Sequence, residues 1–316
     1  MEGLQLIATG GALPGRVVTN EDLSKLVDTS DEWITTRTGI RQRHFCSEGE
    51  NTATLATAAA RQALERSGLQ PEQIGCCVCA TLSGAYATPS TACLVQHELG
   101  LAQDIPVLDV NAACSGFIYG AAVARGLLAT RPEDSRRYAL VIGCEQLSRL
   151  MDMTDRNTCV LFGDGAGAVL FELVDGVDFA VDLGARGDMA IETPPCGPIR
   201  MDGRAVFRFA VEALPRTLEA VLEATHHTLD DLDWVVCHQA NSRIIDHCVK
   251  KLKADPEKFY KNMDRHGNTS AASIPVALNE LYENGRLQPG MRLACIGFGG
   301  GLTWGGMLLT VKGSVV

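Results

Sequence analysis

The chain has 316 residues, 46% of them hydrophobic and 21% charged, an ordinary globular balance that excludes an intrinsically disordered polymer. A formal net charge of −10 argues against a nucleic-acid binder, because phosphate contacts need a basic footprint. No apolar run is long enough to span a bilayer, and the opening residues MEGLQLIATGGALPG lack the basic start and long apolar core of a secretory signal, so a cytoplasmic protein is expected.

In chain order, the pattern predicts a strand over 4–9, a helix over 52–67 and a strand over 76–82. That strand holds Cys76 and Cys79 at C-x-x-C spacing. A zinc site needs a second pair at matching spacing, and a redox motif opens a helix rather than sitting inside a strand. The segment is therefore read as buried core, and the twelve scattered cysteines as free thiols in a reducing compartment. A helix over 89–99 and a strand over 106–110 follow, and the chain then enters NAACSGF and a helix over 115–129. Cys114 falls where that helix begins, among Ala112, Ala113, Ser115 and Gly116. The positive end of a helix dipole favours a thiolate, and small neighbours leave room for an acyl group. This suits a nucleophile; on this segment alone, one more buried thiol is an equal alternative.

Strands are expected over 138–144, 166–173 and 177–183. GDGAGA at 163–168 fits the dinucleotide spacing, but AVLFEL continues as a strand instead of opening a helix, so nucleotide binding is rejected. A helix over 205–225 contains Pro215, which should kink it. The strand over 234–237 delivers His238 at its C-terminal end, where open α/β sheets bind ligands. Alone, His238 would read better as a structural histidine. Asn241 precedes a helix over 242–253. In HGNTSAAS, Asn268 offers a donor that does not titrate, with a turn or cap asparagine as the plain alternative. His266 is read as a structural hydrogen-bonding residue. A helix over 274–283 and strands over 292–297 and 305–311 complete the chain. Glycines 299–301 let backbone approach a ligand and offer bare N–H groups for an oxyanion hole; the alternative is a tight turn.

The alternation of buried strands and helices indicates an α/β fold. A glycine-rich turn precedes an apolar strand near the end of each half, at 163–173 and 297–309. That echo predicts a duplicated unit with halves 1–175 and 176–316.

The segments DTSDEWITTRTGIRQRH (28–44), NAACSGFIYG (111–120), DRNTCVLFGDGAGAVLFE (155–172), HQANSRII (238–245), DRHGNTSAASIP (264–275) and GFGGGLTWG (297–305) together resemble β-ketoacyl-acyl-carrier-protein synthase III, in family order and across almost the whole chain. The resemblance implies a thiolase-like fold, with duplicated α/β halves packed as a layered αβαβα body. It implies an acyltransferase that joins an acyl-CoA primer to malonyl-acyl-carrier protein by decarboxylative Claisen condensation, initiating fatty-acid synthesis. Cys114 would carry the primer. His238 and Asn268 would polarise the malonyl thioester and stabilise its enolate, and the N–H groups of Cys114 and Gly300 would form the oxyanion hole. Trp33 and Arg156 match the pair that sandwiches the CoA adenine, Arg37 a CoA phosphate contact, and Asn241 a position along the pantetheine tunnel. Elongating synthases place a second histidine where Asn268 stands, and biosynthetic thiolases a second cysteine near the C-terminal glycine turn. Here asparagine stands at 268, and the turn GFGGGLTW contains no cysteine.

The same resemblance implies a homodimer and no metal or other cofactor, with acyl-CoA as a substrate. GAYATPSTAC (84–93) resembles the loop that closes the partner's acyl pocket; Thr88 stands where some members carry phenylalanine, implying more room for the primer. For docking the acidic carrier protein, Arg243, Lys250 and Lys251 fall on one helical face, and Arg208 matches a further basic position. The runner-up within the fold is a condensing or acyl-transfer enzyme of secondary metabolism. A papain-type Cys-His-Asn hydrolase is disfavoured because NAACSGF lacks its local cysteine context. An inactive scaffold is disfavoured because all three reactive residues are retained.

Overall fold

The structure is a computed structural model that describes residues 2–131, 136–195 and 197–312. A ten-stranded mixed sheet forms its frame. The first half supplies β1 (Glu2–Ala12), β2 (Ile74–Ala80), β3 (Val107–Val110), β4 (Tyr138–Glu145) and β5 (Gly165–Asp175). The second supplies β6 (Ala180–Asp188), β7 (Trp234–Cys237), β8 (Phe259–Tyr260), β9 (Arg292–Gly299) and β10 (Gly301–Val311). The first five run in the order β3-β2-β4-β5-β1; β2 is parallel to β3 and β4, and β5 is antiparallel to β4 and β1. The second five, β8-β7-β9-β10-β6, repeat both that order and those directions. The two sets join where β1 runs parallel to β10, with Gln5 opposite Thr310 and Leu6 opposite Val311.

Among the described residues, the helices of eight or more residues are α1 (Asp31–Thr38), α2 (Thr52–Ser67), α3 (Thr91–Leu99), α4 (Gly116–Ala129), α5 (Gly203–Thr225), α6 (Ser242–Leu252) and α7 (Ser273–Glu283). Three apolar cores separate the layers. Ala59, Ala63 and Leu64 of α2 pack with Val95 of α3 on Cys77, Leu140 and Ile142. Phe117 and Ile118 of α4 and Ile274 and Leu278 of α7 share a central core with Val78, Val141, Cys295 and Met307, so these two helices fill the middle layer. Leu214 and Leu218 of α5 and Ile245 of α6 cover Val235, Ala294 and Ile296. The result is the expected duplicated αβαβα body. Because helices cover both faces, β2 is buried along its whole length, which explains its unbroken apolar run IGCCVCA. Every described cysteine is a free thiol; Cys196 lies outside the described residues.

Several boundaries differ from the sequence pattern. β6 spans Ala180–Asp188 rather than 177–183, because β10 pairs with it from Leu308 back to Gly301. The same pairing extends β10 to Gly301, although glycines disfavour strand by propensity. α3 starts at Thr91, where the Ser90 hydroxyl accepts the Cys93 N–H. α6 ends at Leu252, and Lys253 takes the left-handed capping conformation. α5 continues through the buried Pro215.

The halves meet closely at the 268–272 turn, which lies on β4. A Cβ on Gly143 would stand 2.1 Å from the Ala271 carbonyl oxygen, so this contact requires glycine. Gly143→Ala should lower stability by about 1–3 kcal/mol, the usual range for overpacking, and reduce activity by displacing the turn. An unchanged denaturant midpoint would show that the turn is not held there.

Candidate active site

Two matching turns build the site. Residues Ala113–Ser115 form a tight turn directly before α4, and Ser270–Ala272 form one directly before α7. Each contains a left-handed residue, Ala113 at φ 45° and Ser270 at φ 49°. Each is braced by an asparagine two positions earlier. Asn111 Oδ1 accepts the Ala113 N–H at 3.2 Å, and Asn268 Oδ1 accepts the Ser270 N–H at 2.9 Å. In this repeat Cys114 corresponds to Ala271.

A cavity of about 520 Å³ lies between the turns. Cys114, His238, Asn268 and Gly300 all line it, and Trp33, Arg37 and Asn241 line its approach. The backbone of Asn268 is locked: its N–H donates to the Leu161 carbonyl at 2.9 Å, and its carbonyl accepts the Gly163 N–H at 3.0 Å. Since its Oδ1 is occupied, the side chain offers the cavity its Nδ2 donor.

His238 follows β7, and its N–H donates to the Ile296 carbonyl at 2.8 Å. Its Nδ1 lies 2.7 Å from the Ser273 hydroxyl, which also accepts the Gln239 N–H at 3.4 Å. We assign the tautomer in which this hydroxyl donates to Nδ1 and the ring proton sits on Nε2. Burial pushes the imidazole pKa down to about 3, so the ring is neutral. Phe298 packs edge-on against it at 5.4 Å and limits water.

Burial also pushes the Cys114 thiol up to about 12, against the opposing effects of the Ser270 hydroxyl and its own N–H. The expected thiolate is therefore not the resting form. α4 starts two residues later, and desolvation outweighs the pull of its dipole. The glycine turn abuts this residue: a Cβ on Gly299 would stand 2.6 Å from the Cys114 nitrogen. The Thr303 hydroxyl ties the two segments together, 3.1 Å from both the Ala112 and Gly300 carbonyls.

At the mouth, the Arg37 and Arg156 guanidinium groups both stack on the Trp33 ring, at 4.8 and 5.0 Å. Arg156 also donates to the Asp28 carbonyl at 2.7 Å. Any ring inserted between Trp33 and Arg156 must first part that contact. Asn241 caps α6 by accepting the Arg243 N–H, and its Nδ2 donates to the Arg37 carbonyl. Arg208 and Arg243 share a shallow depression with Arg37 and Arg204. Lys250 and Lys251 are exposed farther along α6, about 10 Å from Arg243 at helical rise. Thr88 is exposed and is not among the residues lining its own chain's cavity. His266 pairs with Glu280 at 2.7 Å.

The sequence reading missed Ser270, Phe298, Ile191, Met201 and Arg204, all of which line the cavity. Ile191 and Met201 come from two-residue strands that leave no periodic signal. Ser270 lay inside the quoted HGNTSAAS, and Arg204 begins α5 beside the mouth; both were visible as residues but not as neighbours.

The neutral His238 predicts an acid sensitivity. Its folded pKa of about 3 lies below its ordinary value of 6.5, so the folded protein binds fewer protons between these values. Stability should fall as pH drops through that window. His238→Asn should reduce that loss in denaturant unfolding at a series of pH values. An identical slope in the variant would assign the sensitivity to other groups.

Comparison with known proteins gives a consistent family. Models described as 3-oxoacyl-[acyl-carrier-protein (ACP)] synthase III and its C-terminal part match residues 108–187 and 222–311. A β-ketoacyl-[acyl-carrier-protein] synthase III from Sinorhizobium medicae is 47% identical over 95% of this chain and 97% of its own. One from Natranaerobius thermophilus is 42% identical over 98% and 99%. The crystal structure of 3-oxoacyl-[acyl-carrier-protein] synthase III from Aquifex aeolicus VF5 superposes with a TM-score of 0.92 at 43% identity, covering 98% of this chain and all of that one.

Proposed function

The chain belongs to the 3-oxoacyl-[acyl-carrier-protein] synthase III family, and from that premise we infer how its own residues divide the work. It is an acyltransferase of the condensing type that initiates fatty-acid synthesis. The specialised-metabolism alternative is not favoured, since full-length relatives at 42–47% identity carry the name β-ketoacyl-[acyl-carrier-protein] synthase III. The observation supporting our assignment is the convergence of one thiol and two non-ionised donors, His238 Nε2 and Asn268 Nδ2, on one cavity.

In the proposed cycle Cys114 attacks the thioester carbonyl of acyl-CoA. The N–H groups of Cys114 and Gly300 hold the oxygen of the tetrahedral intermediate, and CoA departs. Malonyl-carrier protein then enters. His238 and Asn268 donate to its thioester oxygen, where negative charge gathers as CO2 leaves. The resulting carbanion attacks the Cys114 thioester and expels Cys114 as its thiolate, which takes one proton from solvent to return to the thiol. In this scheme fixed donors meet the charge on both thioester oxygens, and we propose that it calls on no metal or redox cofactor.

Trp33, Arg37, Arg156 and Asn241 are assigned to the CoA and pantetheine arm, and Arg208, Arg243, Lys250 and Lys251 to carrier docking. We divide the chain into 1–175, carrying the nucleophile, and 176–316, carrying His238 and Asn268; the repeated strand order supports this. We propose a homodimer in which Thr88 gates the partner's acyl pocket. The half-buried edge strand β3 and the 61% exposed Tyr86 of the same loop support a covered surface there. No described helix is long and apolar enough to cross a membrane, in keeping with a cytoplasmic assignment.

Cys114→Ala should abolish acyl uptake from acyl-CoA, read by intact mass. Asn268→Ala should still load, yet lose CO2 release from malonyl-carrier protein by about 100- to 1000-fold, the usual effect of deleting one oxyanion donor. Equal loss of both half-reactions in Asn268→Ala would refute this division. Reversing Arg243 and Lys250 to Glu should raise the KM for malonyl-carrier protein about 10-fold and flatten its salt dependence, with acyl-CoA loading changed less. A normal KM in that variant would move the docking surface elsewhere.

A further inference from the structure

Behind the nucleophile lie two buried groups that the proposed cycle does not use. Ser270 is 1% exposed, and its hydroxyl makes no short, well-aligned hydrogen bond among the described residues. A buried hydroxyl set between a thiol and a carboxyl, without a tight bond to either, is free to pass a proton from one to the other. The hydroxyl lies beside both the Cys114 thiol and the Glu145 carboxyl and favours the ionised form of each. Glu145 ends β4 and is fully buried. It accepts the Leu82 N–H at 3.2 Å, the Thr81 hydroxyl at 3.1 Å and the Ser83 hydroxyl. Those donors hold the carboxyl in place at the back of the cysteine turn.

The thiol must lose its proton to attack. His238 is poorly suited to take it, because Ser273 engages Nδ1 and decarboxylation needs the Nε2 proton in place. We propose that Glu145, acting through the Ser270 hydroxyl, receives the Cys114 proton during acyl loading. This rests on the assignment of Cys114 as the loaded residue. The S–H bond breaks as its proton passes to Ser270 Oγ, and Ser270 gives its own proton to the Glu145 carboxylate. The sulfur electron pair forms the bond to the thioester carbon, the carbon–sulfur bond to CoA breaks, and the departing CoA thiolate takes the proton back along the same path. No net proton is gained or lost.

Burial holds the Glu145 carboxyl up at about 7 despite its donors, so its ionised form grows in as pH rises through neutrality. Its titratable neighbours are Cys114 and Cys144, and Cys144 in turn faces Cys77 and Cys79 in β2 and Asp109 in β3. Asp109 is already engaged by the Thr91 and Ala92 N–H groups, at 2.7 and 2.8 Å.

The test is single-turnover loading from acetyl-, isobutyryl- and octanoyl-CoA, followed by intact mass across a pH series. Alkylation of Cys114 by iodoacetamide provides a readout that needs no substrate binding. Wild-type loading and alkylation should both rise with pH through an inflection near 7. Glu145→Gln should load about 100-fold more slowly and lose the inflection, while Glu145→Asp should keep it. Ser270→Ala should behave like Glu145→Gln. Its backbone is safe, because Ala113 already occupies the matching left-handed position in the other turn. Ser270→Ala therefore decides the matter even if Glu145→Gln fails to fold. Variants with wild-type rate and inflection would overturn the inference, as would slower variants with an unmoved inflection. Wild-type protein that loads no acyl group at Cys114 would instead overturn the assignment of the nucleophile, and this inference with it.

Discussion

The 268–272 turn reaches β4 only because Gly143 has no side chain, and the geometry of the site follows from that approach. The contact brings Asn268 and Ser270, from the second half, within reach of Cys114, from the first. Moving the turn outward by one methyl group would shift the Asn268 amide and the Ser270 hydroxyl away from the thiol. The same closeness recurs on the other side of the cysteine, where Gly299 presses its backbone against the Cys114 nitrogen. The nucleophile is thus held between two backbones rather than among flexible side chains, which favours preorganised donors over adjustable ones.

Close packing also sets the electrostatics. The imidazole and the Glu145 carboxyl are buried and the thiol is half-buried, and each shifts toward its uncharged form. Decarboxylation of a thioester develops charge on one oxygen, and neutral donors in a dry cavity answer that charge without forming an ion pair beforehand. An imidazolium in the same place would stabilise the malonyl carboxylate in the ground state as well, which does not lower the barrier.

Much of this was legible in the chain itself. β2 and β4 are continuous apolar runs, and α2 shows both an apolar stripe and an asparagine cap. Cys114, His238 and Asn268 stood at strand ends and small-residue turns, which are positional signals. β8 was missed because two residues carry no period, and α1 because its exposed, largely polar face has little amphipathic pattern. The thiol's protonation was misread because sequence reveals the helix dipole but not the depth of burial that opposes it. Glu145 was hidden for another reason. It reads as the end of a strand, and only the folded chain places it behind a cysteine 31 positions earlier.

Duplication explains why such different side chains converge on one space. The two turns share a backbone: an asparagine brace, a left-handed residue, then a helix. Within that shared frame each copy has discarded what the other uses. Ala113 stands where the second copy has Ser270, and Ala271 stands where the first has Cys114. A thiol in both copies would place two nucleophiles at one seam, and a hydroxyl in both would add a second buried polar group there. The methyl groups leave one of each and open the volume that an acyl chain must occupy. The asymmetry of the chemistry therefore arises from side-chain choices at two pairs of equivalent positions, on a backbone that is symmetric there.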